Sequence, residues 1–293
     1  MSKKYFLQEL YSNPWAISFP AIETLRAAAL QNIEMLSEDH EPLSITGIHP
    51  SGNVSASHSP GEEFDVFRDF PEGSVVVLPL IGIMTKYWSW WTWGVDNIAE
   101  LIRAADLSSK ISGMVILINT PGGDVTSVFQ ISDAIKNATK PVYALVDGGC
   151  YSAGEYVRGF CTKSYALHEM CGFGSIGIVA TFRDYKKMEE EFGIKTVVIY
   201  PPESKFKNLP ERQALDGKPD LIIKEQLTPW AVHFQETMRT NLPAMDDTVV
   251  GILEGKEFYA ADAVKFGWID GITNLEGVIS EITKEINTRK TIL

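Results

Sequence analysis

Apolar residues follow two rhythms along this 293-residue chain. From Ser74 onward, short runs rich in branched side chains alternate with segments whose apolar residues recur every three or four positions. The runs are VVVLPLIGI (75–83), GMVILIN (113–119), PVYALV (141–146), SIGIVAT (175–181) and KTVVIY (195–200). Between them lie GVDNIAELIRAADL (94–107), DVTSVFQISDAIKNA (124–138), SAGEYVRGF (152–160) and DYKKMEEEFG (184–193). A strand-like run followed by a helical one, repeated, predicts crossover units on a mainly parallel sheet, an α/β fold. Two later amphipathic segments, 221–240 and 274–290, are read as helices that pack on this core or on a neighbour.

The first seventy-odd residues have another character. AIETLRAAALQNIEML (21–36) has helical spacing, and HPSGNVSASHSPGEEFD (49–65) is polar throughout, which reads as a linker or mobile loop. The expected division is an N-terminal extension over 1–73, a core over 74–272 and a C-terminal helix over 273–293.

Composition narrows the function. With 45% hydrophobic and 22% charged residues the chain folds as an ordinary globular protein. A net charge of −12 opposes tight binding to phosphate backbones or anionic lipid, so nucleic acid is set aside. The longest strongly apolar run, Val75–Met84, is about half of the roughly 20 residues a membrane-crossing helix needs. Gln8, Glu9, Ser12 and Asn13 interrupt any signal-peptide run, which predicts a cytoplasmic protein. Cys150, Cys161 and Cys171 fit neither a disulfide framework nor zinc-ligand spacing and read as reduced thiols; no metal and no cofactor are expected.

In open α/β sheets, chemistry collects where strands end and helices begin. Two such turns are rich in small residues. INTPGGDV leaves one strand and DGGCYSAG leaves the next. Gly122 and Gly123 can turn backbone N–H groups toward an anion or a developing oxyanion, or they can form a plain turn with Asp124 or Thr126 as the helix cap. Ser152 opens the following helix, either as a nucleophile or as an N-cap. A nucleophile on one turn and oxyanion glycines on its neighbour would be two parts of an acyl-transfer site.

The motifs NTPGGDV, KPVYALVDGGCYSAGEYV, GFGSIGIVATFRDY, SKFKN and EFYAADAVKFGWIDGI, in this order, resemble the serine peptidases of the signal peptide peptidase A family. That family includes the capsid proteases of tailed phages, and NPWAI (13–17) is similar to the start of the phage members. The resemblance implies a crotonase- or Clp-like spiral of ββα units and a Ser–Lys dyad. Ser152 takes the serine's place and Lys207, in Ser204-Lys205-Phe206-Lys207-Asn208, the lysine's. Gly123, Gly122 and Ala153 match the oxyanion donors, and Ser175 matches a group that orients the lysine. The chain departs from the pattern at Ser204 and Asn208, and Glu155 and Arg158 stand where small or apolar residues are usual. An ordinary lysine, with a pKa of about 10.4, is charged near neutrality, so the dyad requires a dehydrated lysine.

Competing groups are weaker. His40, His49 and His58 fall in polar sequence, His233 lies among aromatic residues that pack, and His168 sits off the position where a Clp-type histidine would align. Cys150 reads as a small buried filler. Trp88, Trp90, Trp91 and Trp93 crowd one loop, which points to a substrate groove or a subunit contact. The resemblance implies a homo-oligomer, a ring or dome, with protein or peptide substrates that include phage capsid or scaffold proteins. The alternatives are a cytoplasmic peptidase that degrades peptides, an acyl-CoA enzyme of crotonase type and a non-catalytic assembly protein.

Overall fold

The computed structural model describes residues 15–17, 44–49, 52–57, 66–87 and 94–292. The helix expected over 21–36 and the four tryptophans Trp88, Trp90, Trp91 and Trp93 lie outside the described residues.

Three parallel strands carry the molecule: β4 (Ser74–Ile81), β5 (Ile111–Thr120) and β7 (Val142–Tyr151). Each is apolar on consecutive residues because both faces of the sheet are covered. Val76, Leu78, Met114, Ile116, Ala144 and Val146 point into one core. Their neighbours Val75, Val77, Val115, Tyr143 and Leu145 point into the other. The first core is roofed by α1 (Val95–Leu107) and α2 (Val128–Asn137), which supply Ile98, Ile102, Ile131 and Ile135 at helical spacing. These two helices are also the crossovers that join β4 to β5 and β5 to β7.

Strand β7 pairs with two strands in succession. Tyr143–Val146 pairs with β8 (Lys163–Ala166) and Gly149–Tyr151 with β9 (Gly172–Gly174), both parallel. Beyond them, β10 (Glu257–Tyr259) pairs antiparallel with β9, and β11 (Gly271–Ile272) pairs parallel with β8. On the opposite edge, β2 (Ser44–His49) pairs antiparallel with β4 and with β3 (Gly52–Ser57). The polar stretch read from sequence as a linker therefore contains a strand. Its alternating Asn, Val, Ser and Ala residues suit an edge.

Further helices include α3 (Ala153–Arg158), α4 (Lys186–Glu191), α5 (Leu209–Leu215), α6 (Thr228–Asn241), α7 (Ala260–Lys265) and α8 (Leu275–Ile292). α8 closes the second core with Val278, Ile279 and Ile282. Two expected strands, 175–181 and 195–200, do not form as strands. Both lie beyond β9, and Val197, Val198 and Ile199 remain exposed.

Helix α8 crosses β5 so closely that a Cβ on Gly113 would lie 2.5 Å from the Cγ2 of Ile282. Gly113→Val should destabilise the fold by about 1–3 kcal/mol, the usual cost of overpacking. Shortening Ile282 to alanine in the same chain should return part of that loss. Denaturant unfolding of the two single variants and the double reads the coupling.

Candidate active site

The two small-residue turns meet because β5 and β7 are adjacent and both end at the same edge of the sheet. Thr120, the last residue of β5, pairs with Cys150 on β7. The start of α3 rests on Thr120, where a Cβ on Gly154 would come within 2.4 Å of the threonine methyl. Glycine at 154 is thus what lets the turn bearing Ser152 settle against the turn bearing Gly122 and Gly123.

Ser152 joins β7 to α3 at φ 53° and ψ −113°. That is a region L-residues rarely adopt, and a non-glycine residue there costs on the order of 1–3 kcal/mol. Its N–H donates to the Gly174 carbonyl at 2.9 Å, and its carbonyl accepts from the Tyr156 N–H at 3.1 Å. The side chain makes no capping hydrogen bond to α3. Its Oγ instead donates to the Gly177 carbonyl over 3.5 Å. The N-cap reading is therefore set aside by geometry: the residue has the wrong backbone and its hydroxyl faces away from the helix amides. A strained serine between a strand and a helix is the local form that presents a nucleophile.

The glycine turn carries the helix cap read from its sequence. Asp124 accepts from the Thr126 N–H at 3.1 Å and so caps the short 3₁₀ turn Val125–Ser127. Gly122, at φ 98°, begins β6 (Gly122–Asp124). A Cβ on Gly123 would fall 1.9 Å from the Met84 carbonyl oxygen, so this approach admits only glycine. The amides of the two glycines face different partners. The Gly122 N–H donates to Thr120 Oγ1 at 3.1 Å. The Gly122 carbonyl and the Asp124 N–H both bond to Met84. Strand geometry then turns the Gly123 peptide groups to the opposite side, toward β1 (Trp15–Ile17), in which Ala16 lies directly across from Gly123. Ala153 is the first residue of α3, where an amide has no acceptor within the helix.

Ser175 adjoins the group. It follows Gly174, sits at φ 55° and donates its N–H to the Lys256 carbonyl at 3.3 Å. No hydrogen bond joins Lys207 to Ser152, whose Oγ contacts the Gly177 carbonyl instead. Lys207 lies exposed in the loop after the turn Pro202–Ser204, next to Phe206, which is 71% exposed. The dehydration expected for this lysine is thus not supplied by the described chain. Lys205 stacks its ammonium 5.1 Å from the centre of the Phe206 ring. His168 is exposed.

Sequence reasoning missed a narrow apolar pocket that opens beside Ala153. Val125 and Val128 line it from the glycine turn and α2, Tyr156 from α3, and Trp230, His233 and Phe234 from α6. His233 Nε2 lies 3.0 Å from the Tyr156 hydroxyl, so this histidine packs as expected while also forming a wall of the cavity. The aromatic spacing in 221–240 was visible, but not that α6 turns this face toward Ser152.

Behind Ser152, Glu155 and Arg158 are wholly buried and paired at 2.7 Å. Burial raises the Glu155 carboxyl even against the pull of Arg158. Burial also pushes the Cys150 thiol well up, reinforced by Glu155.

The family model described as Peptidase family S49 matches residues 134–289, more than half of the chain. The chain belongs to peptidase family S49. The Clp protease model matches residues 94–169, the first crossovers of the same sheet. Among curated relatives, this S49 chain is 23% identical over 197 residues to the head-tail preconnector protein GP5 of Enterobacteria phage P21. It is 24% identical over 209 residues to the capsid assembly protease C of Escherichia phage lambda. These alignments cover 67% and 68% of the chain but 39% and 45% of the relatives, so it spans under half the length of either. A solved structure of the 1510-N membrane-bound stomatin-specific protease covers 73% of the chain and 86% of its own at a TM-score of 0.49 and 12% identity. The resemblance to signal peptide peptidase A and phage capsid proteases read from the motifs is borne out. Among the described residues no helix is long and apolar enough to cross a membrane.

Cysteine chemistry can be separated from serine chemistry. Burial pushes the Cys161 thiol to about 12, and Cys150 is raised by the same cause. Iodoacetamide at pH 8 should therefore leave Cys150 and Cys161 unmodified in the folded protein and alkylate them only after unfolding. Rapid native alkylation of Cys150 with loss of activity would return it to consideration as the nucleophile.

Proposed function

We propose that this S49 chain hydrolyses peptide bonds as a serine endopeptidase with Ser152 as nucleophile. The observation that carries this reading is the strained, uncapped Ser152 turn seated against a glycine turn that no other residue type could form. Ser152 Oγ attacks the substrate carbonyl, and the amides of Ala153 and Gly123 stabilise the oxyanion. Because Gly122 already donates to Thr120, it serves the shape of the turn more than the charge. Lys207 takes the serine proton and returns it to the leaving amine, and water then hydrolyses the acyl-serine. Ser175 orients the lysine. An apolar substrate side chain lies against the apolar pocket beside Ala153.

Two features give this reading its conditions. Lys207 needs cover, and the apolar residues Val197, Val198, Ile199 and Phe206 lie bare in the segment that leads to it. A second copy of the chain laid over that segment would bury the apolar residues and dehydrate the lysine together, which supports a homo-oligomer as the active form. The second condition is access. Ser152 is 1% exposed, and the Gly123 peptide group faces Ala16 on β1. An extended substrate that uses the Gly123 amide must displace β1.

Names of the relatives, a capsid assembly protease among them, support a role in phage head maturation, with capsid or scaffold proteins cut in the host cytoplasm or within a procapsid. Incubation with phage scaffold and capsid proteins, and mass spectrometry of the products, tests that role.

Ser152→Ala should lower kcat by roughly 10⁴-fold or more without unfolding the protein, as loss of a serine nucleophile does elsewhere. Lys207→Ala should do the same, while Lys205→Ala should cost little. Equal mild losses at both lysines would remove Lys207 from the mechanism. Val198→Asp with Ile199→Asp should dissociate the oligomer in sedimentation and lower specific activity together. Ala16→Pro, which removes the β1 N–H at the Gly123 pair, should speed acylation of Ser152.

A further inference from the structure

Glu155 and Arg158 occupy the helix directly behind the nucleophile, and the reaction as written gives them no task. Arg158 Nε and Nη2 donate to Glu155 Oε2 at 3.0 and 2.7 Å. Nη1 donates to Ser164 Oγ on β8 at 3.0 Å and to the Trp268 carbonyl, ahead of β11, at 3.1 Å. The guanidinium also lies 5.8 Å from the centre of the Phe173 ring on β9. The second carboxylate oxygen, Oε1, and the Trp268 indole N–H are both buried without a hydrogen bond of ordinary geometry. From the helix that follows Ser152 the pair thereby grips β8, β9 and the approach to β11.

Stability alone is a poor reason for this arrangement. Apolar side chains of similar volume usually hold a core as well as a buried ion pair does, or better. What the pair adds is direction, because the planar guanidinium fork fixes an angle where apolar packing fixes only a contact. Direction is what this turn lacks by itself. The six residues of α3 are far too few to hold a helix axis, and Ser152 at its start is in a conformation that its surroundings must enforce.

We propose that the Glu155–Arg158 pair is a positioning element for the nucleophile, setting the rotation of α3 and with it the direction of Ser152 Oγ and of the Ala153 N–H. The inference rests on the assignment of Ser152 above. It distinguishes Glu155 and Arg158 from catalytic residues, since neither touches the reacting atoms.

The test compares the full chain with Glu155→Met/Arg158→Met, Arg158→Lys and Ser164→Ala. Three readouts are taken: melting temperature, stoichiometry of Ser152 labelling by a fluorophosphonate, and kcat and KM per labelled serine. The double variant buries no orphaned charge and should melt near the parent. Its kcat should fall by about 10–100-fold with KM unchanged, the scale expected when a reacting group is misplaced by an ångström. Arg158→Lys, which keeps the charge but loses the fork, should fall comparably. Ile282→Ala in the opposite core should lower the melting temperature and leave kcat per labelled serine intact. A folded double variant with parental kcat overturns the proposal. If the double variant does not fold, Ser164→Ala decides: a several-fold fall in kcat supports the proposal and an unchanged kcat overturns it. A parent that does not label at Ser152 overturns both readings, whereas a labelled parent beside an unaffected variant overturns this one alone.

Discussion

A single backbone constraint organises the molecule: a non-glycine residue, Ser152, held at positive φ where the central strand β7 gives way to α3. Nothing local favours it. It survives because everything around it is fixed by other means. β7 is hydrogen-bonded on both sides, with β5 along one edge and β8 then β9 along the other. The Ser152 N–H is spent on Gly174 and its carbonyl on Tyr156. The close seat of Gly154 on Thr120 leaves no room for the turn to relax outward. Two apolar cores, one on each face of the sheet, supply the stiffness against which this strain is held.

The site is unequal in construction. Gly123 stands on β6, Ala153 is the first residue of α3, and Ser152 and Ser175 directly follow β7 and β9, so their relative placement is set by ordered elements. Lys207 stands on a stretch that the sheet does not organise, among bare apolar side chains. In the proposed mechanism the residues that would stabilise charge are held by ordered elements, whereas the lysine would need a surface laid over it to be dehydrated. The pocket walled by Tyr156, Trp230 and His233 belongs with the ordered elements.

How much of this was legible in the sequence depended on range. β4, β5 and β7 stood out because burial on both faces makes their runs continuous, and α1 and α2 because their isoleucines keep helical spacing. The two turns were legible for the same reason: glycine and small residues at a strand end have few other uses. KTVVIY misled, since a branched apolar run reads as a strand whether or not a partner strand exists to receive it. β8 and β9, with four and three residues, gave no periodic signal. The pairing of Ala16 with Gly123 was beyond reach because the partners lie more than a hundred residues apart and the direction of a peptide group is set only by register. Glu155 and Arg158 were visible as departures from the family pattern, but that they face each other in a dry core required the fold.

The proposed chemistry requires Ser152 to carry the reacting oxygen, and chemical mapping tests that most directly. The active protein would be treated with a fluorophosphonate, digested, and the adduct located by tandem mass spectrometry. One adduct, on Ser152 within the segment after β7, is the predicted result; an adduct on Ser175 or on any other residue, or none in a preparation that still cleaves protein, would contradict it.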